Sequence, residues 1–296
     1  MRIAADCFPC IFHQILKTGR LGSASEASIV RAIRDFSAAV NRLSPQVTPA
    51  EAGGIAYRIL SQATGVADPY AAVKRECIKE ALAFLPAVKE IVAAAEDKLL
   101  AAVKAAIAGN VIDFGVASDA DMLGQVQKLM HQDLAVNHLA EFKRRLAEAR
   151  TVLYLADNAG ETVFDLVLIE ALAKPVQYAV RGGPIINDAT LEDAILSGLK
   201  GVARLVSTGC TMPGTIPSLC SEEFQKTLKG ADLIVSKGQG NYEGLSDERL
   251  PVFFLLTAKC EAVARDLHIE RGAMALLKSP NFLSHRTERA AKPGTA

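Results

Sequence analysis

The stretch TVLYLADNAGETVFD, at residues 151–165, decides how the rest of the chain is interpreted. Its opening residues are mostly apolar, β-branched or aromatic, which is the pattern of a strand buried on both faces. Asp157 and Asn158 end this run, Gly160 permits a tight turn, and apolar residues at helical spacing follow. Ligands of open α/β sheets bind at the carboxyl ends of strands. Asp157 and Asn158 are therefore candidate site residues, although either could simply cap the following helix.

The composition narrows the class of protein. A chain of 296 residues is long enough for two domains. Lys plus Arg and Asp plus Glu number 33 each, so no strong overall field favours nucleic acid or an anionic membrane surface. Charges interrupt every apolar run well before about 18 residues, and the N-terminal segment lacks the pattern of a signal peptide. Six scattered cysteines suit a reducing compartment. These features predict a cytoplasmic protein without nucleic-acid or membrane partners.

The hydrophobic pattern divides the chain into two parts. Residues 1–149 show three- and four-residue apolar spacing, which predicts an all-helical region. Residues 150–296 alternate apolar runs with amphipathic segments, which predicts an α/β domain whose mostly parallel sheet carries helices on its faces. The pattern predicts helices at 7–17, 25–43, 49–63, 69–83, 86–108, 119–131, 136–149, 161–173, 191–198 and 221–228. It predicts strands at 151–156, 176–180, 203–206, 233–235 and 252–256.

Glycine and polar residues follow the predicted strands. The second strand continues into RGGPIINDAT, the third into STGCTMPG and the fourth into SKGQGNYEG. Because the carboxyl ends of parallel strands meet at one edge of a sheet, we expect these segments to gather there. Glycine also lets the backbone come close to a ligand. The sequence therefore predicts a binding site at this edge.

Asp157, Asn158 and Asp188 form a coherent set of candidate metal ligands. Oxygen ligands without nearby histidine or thiolate favour a hard or borderline cation, such as magnesium or manganese. Two carboxylates and one amide leave positions for water and a phosphate oxygen. Asp188 could instead cap the helix after Thr190, a role that Thr190 could also fill. Because surface loops are expected here, replacing either aspartate by alanine should abolish metal binding without affecting the fold.

Lys237 precedes Gly238, Gly240 and Asn241, and a lysine beside glycine N–H groups can bind phosphate. This loop also reads GxGxxxG, which could suggest a nucleotide site. A dinucleotide-binding fingerprint must open a helix. Only a few residues separate this loop from the next apolar run, so the sequence argues against a nucleotide site here. Lys259 would reach the same edge as a second cation, unless it is an ordinary solvated lysine.

Six segments together resemble the damage-control phosphatase family, in its mainly prokaryotic branch with a CxxC motif. They are CFPC (7–10), GNVIDFG (109–115), DNAGETVFD (157–165), GGPIIND (182–188), SKGQGNYEGL (236–245) and TAKC (257–260). The resemblance implies a helical N-terminal region on a three-layer α/β/α domain. It also implies metal-dependent hydrolysis of small phosphate esters, including sugar phosphates and damaged phosphometabolites.

The resemblance also implies residue roles. The family's metal ligands fall on Asp157, Asn158 and Asp188, for a divalent ion such as Mn, Mg, Co or Ni. Its phosphate-holding loop falls on residues 237–241, its late lysine on Lys259, and an acidic substrate contact on Glu161. Asp157, Asp188 and Lys237 would then carry the catalysis, and a small phosphorylated metabolite would be the partner.

Two other functions are kept open. A methyltransferase using S-adenosylmethionine would need an acidic ribose partner at the end of the second strand, where Arg181 stands instead. A non-catalytic metal or metabolite binder would keep the three oxygen ligands but would not need Lys237 and Lys259.

Cys7 and Cys10 form a single CxxC motif near a helix start. They could be structural thiols, part of a metal site with His13, or a redox pair. Asn110 and Asp113 match a connector near the family's active site, but they could also be a helix C-cap and a turn. Since pockets favour domain junctions, we expect the helical region to cover the strand ends through residues 110–115.

Overall fold

The computed structural model describes residues 1–109 and 119–283. In these ranges the helices are α1 (Cys7–Leu21), α2 (Glu26–Val40), α3 (Pro49–Thr64), α4 (Ala71–Ala94), α5 (Lys98–Ala108), α6 (Asp119–His131), α7 (Leu139–Glu148), α8 (Thr162–Leu172), α9 (Leu191–Leu196), α10 (Glu222–Gly230), α11 (Gly238–Leu245) and α12 (Glu261–Leu267). The strands are β1 (Val136–Asn137), β2 (Val152–Leu155), β3 (Val176–Val180), β4 (Arg204–Ser207), β5 (Leu233–Lys237), β6 (Val252–Thr257) and β7 (Met274–Lys278). No helix in the described ranges has both the length and the apolar character needed to cross a membrane.

The strands form one seven-stranded sheet in the order β1-β7-β6-β5-β2-β3-β4. Neighbouring strands are parallel except β6 and β7, which are antiparallel. All residues of β2 are buried, as its continuous apolar run predicts. The prediction of a mostly parallel α/β sheet is confirmed.

Helices cover both faces of the sheet. Side chains alternate along a strand, so Val152 and Tyr154 face a core built with α4 to α8, whereas Leu153 and Leu155 face a core built with α10 to α12. The result is the three-layer α/β/α arrangement that the family resemblance implies.

Among its described residues, the N-terminal region contains helices α1 to α7 and strand β1. Helices α1 to α3 pack around Ile15 and Phe36 and place α3 against α11. Strand β1 pairs with β7, so the predicted helix at 136–149 is wrong at its start, and α7 begins at Leu139. One apolar core draws on residues from both sides of the predicted 149/150 boundary, including Phe142 and Phe253.

Several predicted elements differ from the structure. Pro86 lies inside α4 and does not start a helix. The next helix is instead capped by Asp97, whose Oδ1 accepts a hydrogen bond from the Leu100 N–H at 3.1 Å. Helices α11 and α12 and strand β7 were not predicted, because their short, mixed sequences carry weak periodicity.

Candidate active site

The loop after β3 folds back onto the end of β2 and brings the predicted metal ligands together. Asn158 and Asp188 form an isolated antiparallel bridge, and the Ala189 N–H donates to the Asp157 carbonyl at 2.8 Å. Asp157, Asn158 and Asp188 all line one cavity of about 550 Å³. The structure therefore places the three residues side by side at the carboxyl edge of the sheet.

Arg181, at the end of β3, lies beneath this set of ligands. Its Nε donates to Asp188 Oδ2 at 2.6 Å, and its Nη2 lies 3.8 Å from Asp157 Oδ1. Arg181 is 2% exposed, Asp188 1% and Asp157 8%. The expectation that both aspartates lie in surface loops is therefore wrong, because the returning loop buries them against a cation. Arg181 is a site residue that the sequence pattern did not predict. Its position, as a charged residue at the end of a buried strand, is the feature that could have indicated it.

Buried acidic groups outnumber buried cations at this edge. The carboxylates are Asp157, Glu161, Asp165 and Asp188, and the cations are Arg181 and Lys237. If all are ionised, two negative charges remain. Burial raises the pKa of Asp157 to about 8, and the charges of Glu161 and Asp188 add to this rise. Burial also raises the pKa of Asp188 to about 6, in spite of Arg181. Buried charges are normally paired or coordinate metals, and a divalent cation would supply the missing charge.

The donor set suits a hard cation better than zinc. Within the described ranges, no group of three or more His, Cys, Asp or Glu side chains is arranged to hold a metal ion. The candidate set has two carboxylates, and the amide of Asn158 completes it. Such oxygen donors fit magnesium or manganese, which commonly keep several positions for water and substrate.

Lys237 lies in the protein interior. Its Nζ donates to Glu161 Oε2 and to Asp165 Oδ1, both at 2.8 Å, and the side chain is fully buried. Burial alone would lower the pKa of Lys237, but the two carboxylates raise it above its ordinary value. The contact between this ammonium and a phosphate group stays a prediction, and Lys237 is not among the residues that line the 550 Å³ cavity. Strand β5 extends through Lys237 and not just to residue 235, so its side chain points into the core beside that of Val235.

Helix α11 begins directly after Lys237. The expectation that too few residues remain here to form a helix is therefore wrong. Gly238 has φ +77°, and a Cβ there would lie 1.9 Å from Asp157 Oδ2. Only glycine allows the backbone to pass so close to the carboxylate. Gln239 and Gly240, in the first turn, line the 550 Å³ cavity.

Asn241 is a structural residue in this arrangement. Its Oδ1 accepts hydrogen bonds from the Thr215 N–H at 2.8 Å and from Arg181 Nη1 at 3.1 Å. Its Nδ2 donates to the Ala156 carbonyl at 2.9 Å. The fully buried amide thus ties α11 to the end of β2, and its side-chain hydrogen bonds go to the protein.

Lys259 is the predicted cation that does reach the opening. It is exposed and lines both the 550 Å³ cavity and an adjoining one of about 580 Å³, which Glu161 also lines. Helices α1 and α3 form the opposite wall, with Gln14 and Tyr57 among the lining residues. The helical region therefore covers the strand ends as expected, whereas residues 110–115, with Asn110 and Asp113, lie outside the described ranges.

Cys7 and Cys10 line the same cavity, together with Cys260. All three thiols are free. Burial raises the pKa of both Cys7 and Cys10 above the ordinary value, which keeps these thiols protonated and poorly nucleophilic. The exposed His13 does not line this cavity. This environment favours a structural role over redox catalysis.

Together, the fold and the site define an α/β protein with an acidic pocket at the carboxyl edge of its sheet, facing a helical N-terminal region. The family model described as the damage-control phosphatase ARMT1-like domain matches residues 3–275. The chain belongs to this family.

Archaeal relatives match nearly the whole chain. A damage-control phosphatase of Pyrococcus horikoshii is 34% identical over 289 residues, which span 94% of this chain and 99% of that protein. A damage-control phosphatase of Archaeoglobus fulgidus is 34% identical over 284 residues, which span 93% and 98%. A crystal structure of a DUF89 family protein from P. horikoshii superimposes with a TM-score of 0.86 at 33% identity and covers 94% of this chain and 99% of that one.

Proposed function

We propose that the protein is a metal-dependent phosphatase that hydrolyses small phosphate monoesters, such as sugar phosphates or damaged phosphometabolites. Four buried carboxylates against two buried cations, beside an open cavity, carry the proposal, because a divalent cation at Asp157, Asn158 and Asp188 would let all four carboxylates ionise. Family membership and the names of the relatives support the phosphatase part.

The proposed cation is Mg, Mn, Co or Ni. When bound, it would act as a Lewis acid that polarises a phosphoryl oxygen. Arg181 holds both aspartates from below, and Gly238 leaves room for the Asp157 carboxylate. These residues orient the ligand atoms before substrate arrives.

Other groups at the cavity would bind the phosphate. The exposed ammonium of Lys259 supplies a positive charge at the opening of both cavities. The first turn of α11 presents Gln239 and Gly240 to the 550 Å³ cavity, and backbone N–H groups at a helix N-terminus favour anions. Lys237 supports the site from beneath, so the phosphate contacts proposed for its loop come from the backbone and not from the ammonium.

The methyltransferase alternative is weaker. Arg181 occupies the end of β3, where an acidic ribose partner would stand, and it is bound to Asp188. A site in this position has no acceptor for the ribose hydroxyls from that strand.

A panel assay tests the proposed function. Chelator-treated protein would be assayed against sugar phosphates, other phosphate monoesters and a phosphodiester, with Mn²⁺, Mg²⁺, Co²⁺ or Ni²⁺ added singly. We expect metal-dependent release of phosphate from monoesters only. Absence of hydrolysis across the panel with every metal would contradict the proposal.

Replacing Lys259 by alanine is expected to lower kcat/KM about 10- to 100-fold for every active ester. A hydrogen bond to a charged group contributes about 1.5 to 3 kcal/mol, and each 1.36 kcal/mol corresponds to about tenfold in rate. The matched control is Lys226→Ala, which removes an exposed lysine on α10 and should leave kcat/KM unchanged. Equal activity of the two variants would show that Lys259 does not bind substrate.

A further inference from the structure

A buried network of charges and hydroxyls lies beneath Asn158. Lys237 Nζ bridges Glu161 Oε2 and Asp165 Oδ1 at 2.8 Å each. Asp165 also accepts hydrogen bonds from the hydroxyls of Tyr154 at 2.7 Å and Tyr178 at 2.6 Å. All five side chains are at most 1% exposed. The network therefore connects β2, β3, β5 and α8 and fixes the position of the Lys237 ammonium.

The other oxygen of Glu161 controls the orientation of Asn158. Glu161 Oε1 accepts hydrogen bonds from the Asn158 N–H at 2.8 Å and from its Nδ2 at 2.9 Å. Nδ2 also donates to Asp157 Oδ2 at 3.1 Å. Both protons of the side-chain amide are thus donated, and this hydrogen-bond pattern identifies the atom that faces Glu161 and Asp157 as Nδ2. The acceptor atom Oδ1 is therefore the one left for a cation.

We propose that Lys237 is a positioning residue, which holds Glu161 so that Asn158 presents Oδ1 and not Nδ2 to the divalent cation. This inference rests on the metal site of the proposed function. By occupying Glu161 Oε2, the ammonium leaves Oε1 for both N–H donors of Asn158. Partners that orient the ligands of a metal typically change its affinity about 10- to 100-fold when they are removed.

A purely stabilising role would not explain the network. Buried ion pairs often contribute little net stability compared with apolar residues of similar volume. Lys237, at the end of β5, is also connected to a predicted ligand, Asn158, through the single residue Glu161. A role in orienting Asn158 accounts for these buried charges.

The test measures binding of Mn²⁺ alone by calorimetry or electron paramagnetic resonance, without substrate. We expect Lys237→Met to weaken Mn²⁺ binding about 10- to 100-fold. Loss of a positive charge by itself would strengthen cation binding, so electrostatics and positioning predict opposite signs. Wild-type or tighter affinity in folded Lys237→Met would overturn the inference.

Lys74→Met is the matched control for this variant. Lys74 is likewise a buried lysine held by two carboxylates, Asp193 at 2.9 Å and Asp68 at 3.1 Å, but neither of these carboxylates is hydrogen-bonded to Asn158 in the described residues. We expect this control to bind Mn²⁺ at least as tightly as the wild type. A similar loss of affinity in both variants would show a general effect of destabilisation and would overturn the inference.

Glu161→Gln keeps the inference falsifiable if Lys237→Met does not fold; because this variant also removes a negative charge, unchanged affinity is its informative outcome. Glutamine offers one oxygen, which can accept from Lys237 or from Asn158 but not from both, so Mn²⁺ affinity should again fall about 10- to 100-fold. Unchanged affinity in this variant would contradict the role of Glu161.

A double-mutant cycle tests whether Lys237 affects Mn²⁺ affinity through the side chain of Asn158. In an Asn158→Ala background, Lys237→Met should cause no further loss of Mn²⁺ affinity, because the side chain that it orients is gone. An equal loss in both backgrounds would overturn the inference. Failure of the wild type to bind any divalent ion is a different result, since it would contradict the proposed metal site itself.

Discussion

Replacing Asp188 by alanine is expected to lower the free energy of unfolding by about 3 to 5 kcal/mol, the cost of breaking a buried ion pair by removing one partner. The variant leaves the guanidinium of Arg181 buried without the carboxylate that accepts from its Nε. Among the described residues, the only carboxylate contact that Arg181 would then keep is the longer one of its Nη2 with Asp157 Oδ1, at 3.8 Å, and that nitrogen makes no hydrogen bond. Urea denaturation of the wild type and the variant, both without metal, measures the difference.

The intact pair need not be strongly stabilising for this result to hold. Burial raises the pKa of Asp188 even with Arg181 beside it, so desolvation outweighs the attraction. The penalty arises because the variant replaces a close, hydrogen-bonded pair by the longer contact with Asp157, which compensates the buried guanidinium less well. Asp35→Ala is the control, since Asp35 forms an exposed pair with Arg31 and its loss should change stability by at most about 1 kcal/mol. A similarly small change for Asp188→Ala would show that Arg181 finds other partners.

A fragment that begins at residue 150 is expected not to fold. It lacks β1, which pairs with β7, and it lacks α4 to α7, which cover one face of the sheet together with α8. The ring of Phe142, on α7, packs 5.1 Å from that of Phe253, on β6, and neither is exposed. Each such side chain contributes about 1.5 to 3 kcal/mol when fully buried, whereas whole domains are stable by only about 5 to 15 kcal/mol.

Circular dichroism during thermal unfolding measures this outcome. The full-length chain should unfold in a cooperative transition, and the fragment should show none. A fragment with a cooperative transition and native-like strand content would instead make residues 150–296 an independent domain, as the sequence pattern suggests. Hydrolysis by such a fragment would further show that α1 and α3 are not needed to complete the pocket.

The fold was predictable where apolar runs were continuous. Strand β3 (Val176–Val180), which is apolar except for Gln177, coincides with its prediction, and β2 and β6 differ by a residue or so at their ends, because buried strands are predominantly apolar. Helix α11 was missed because its glycines are typical of a loop. Its packing against α3 overrides that local preference, which the sequence pattern cannot show.

The proximity of the three candidate ligands was predictable, whereas the residues that support them were not. The topology brings the ends of β2 and β3 to one edge of the sheet, and the loop after β3 then returns Asp188 to Asn158. Lys237 was misplaced because strand β5 runs two residues beyond its predicted end, which turns the ammonium inward. The pairing of Arg181 with Asp188 depends on the loop between them folding back, a tertiary feature with no local signal.

The central claim is that a divalent cation at Asp157, Asn158 and Asp188 drives hydrolysis of phosphate monoesters. Its most direct test is a titration of chelator-treated protein with Mn²⁺ while hydrolysis of one active ester is followed, in the wild type, in Asp157→Asn and in the surface control Asp35→Asn. We expect activity to return saturably with Mn²⁺ in the wild type and the control, and to stay at least about 100-fold lower in folded Asp157→Asn. Full activity of the chelated wild type without added metal, or recovery of Asp157→Asn to the wild-type rate at the same Mn²⁺ concentration, would contradict the claim.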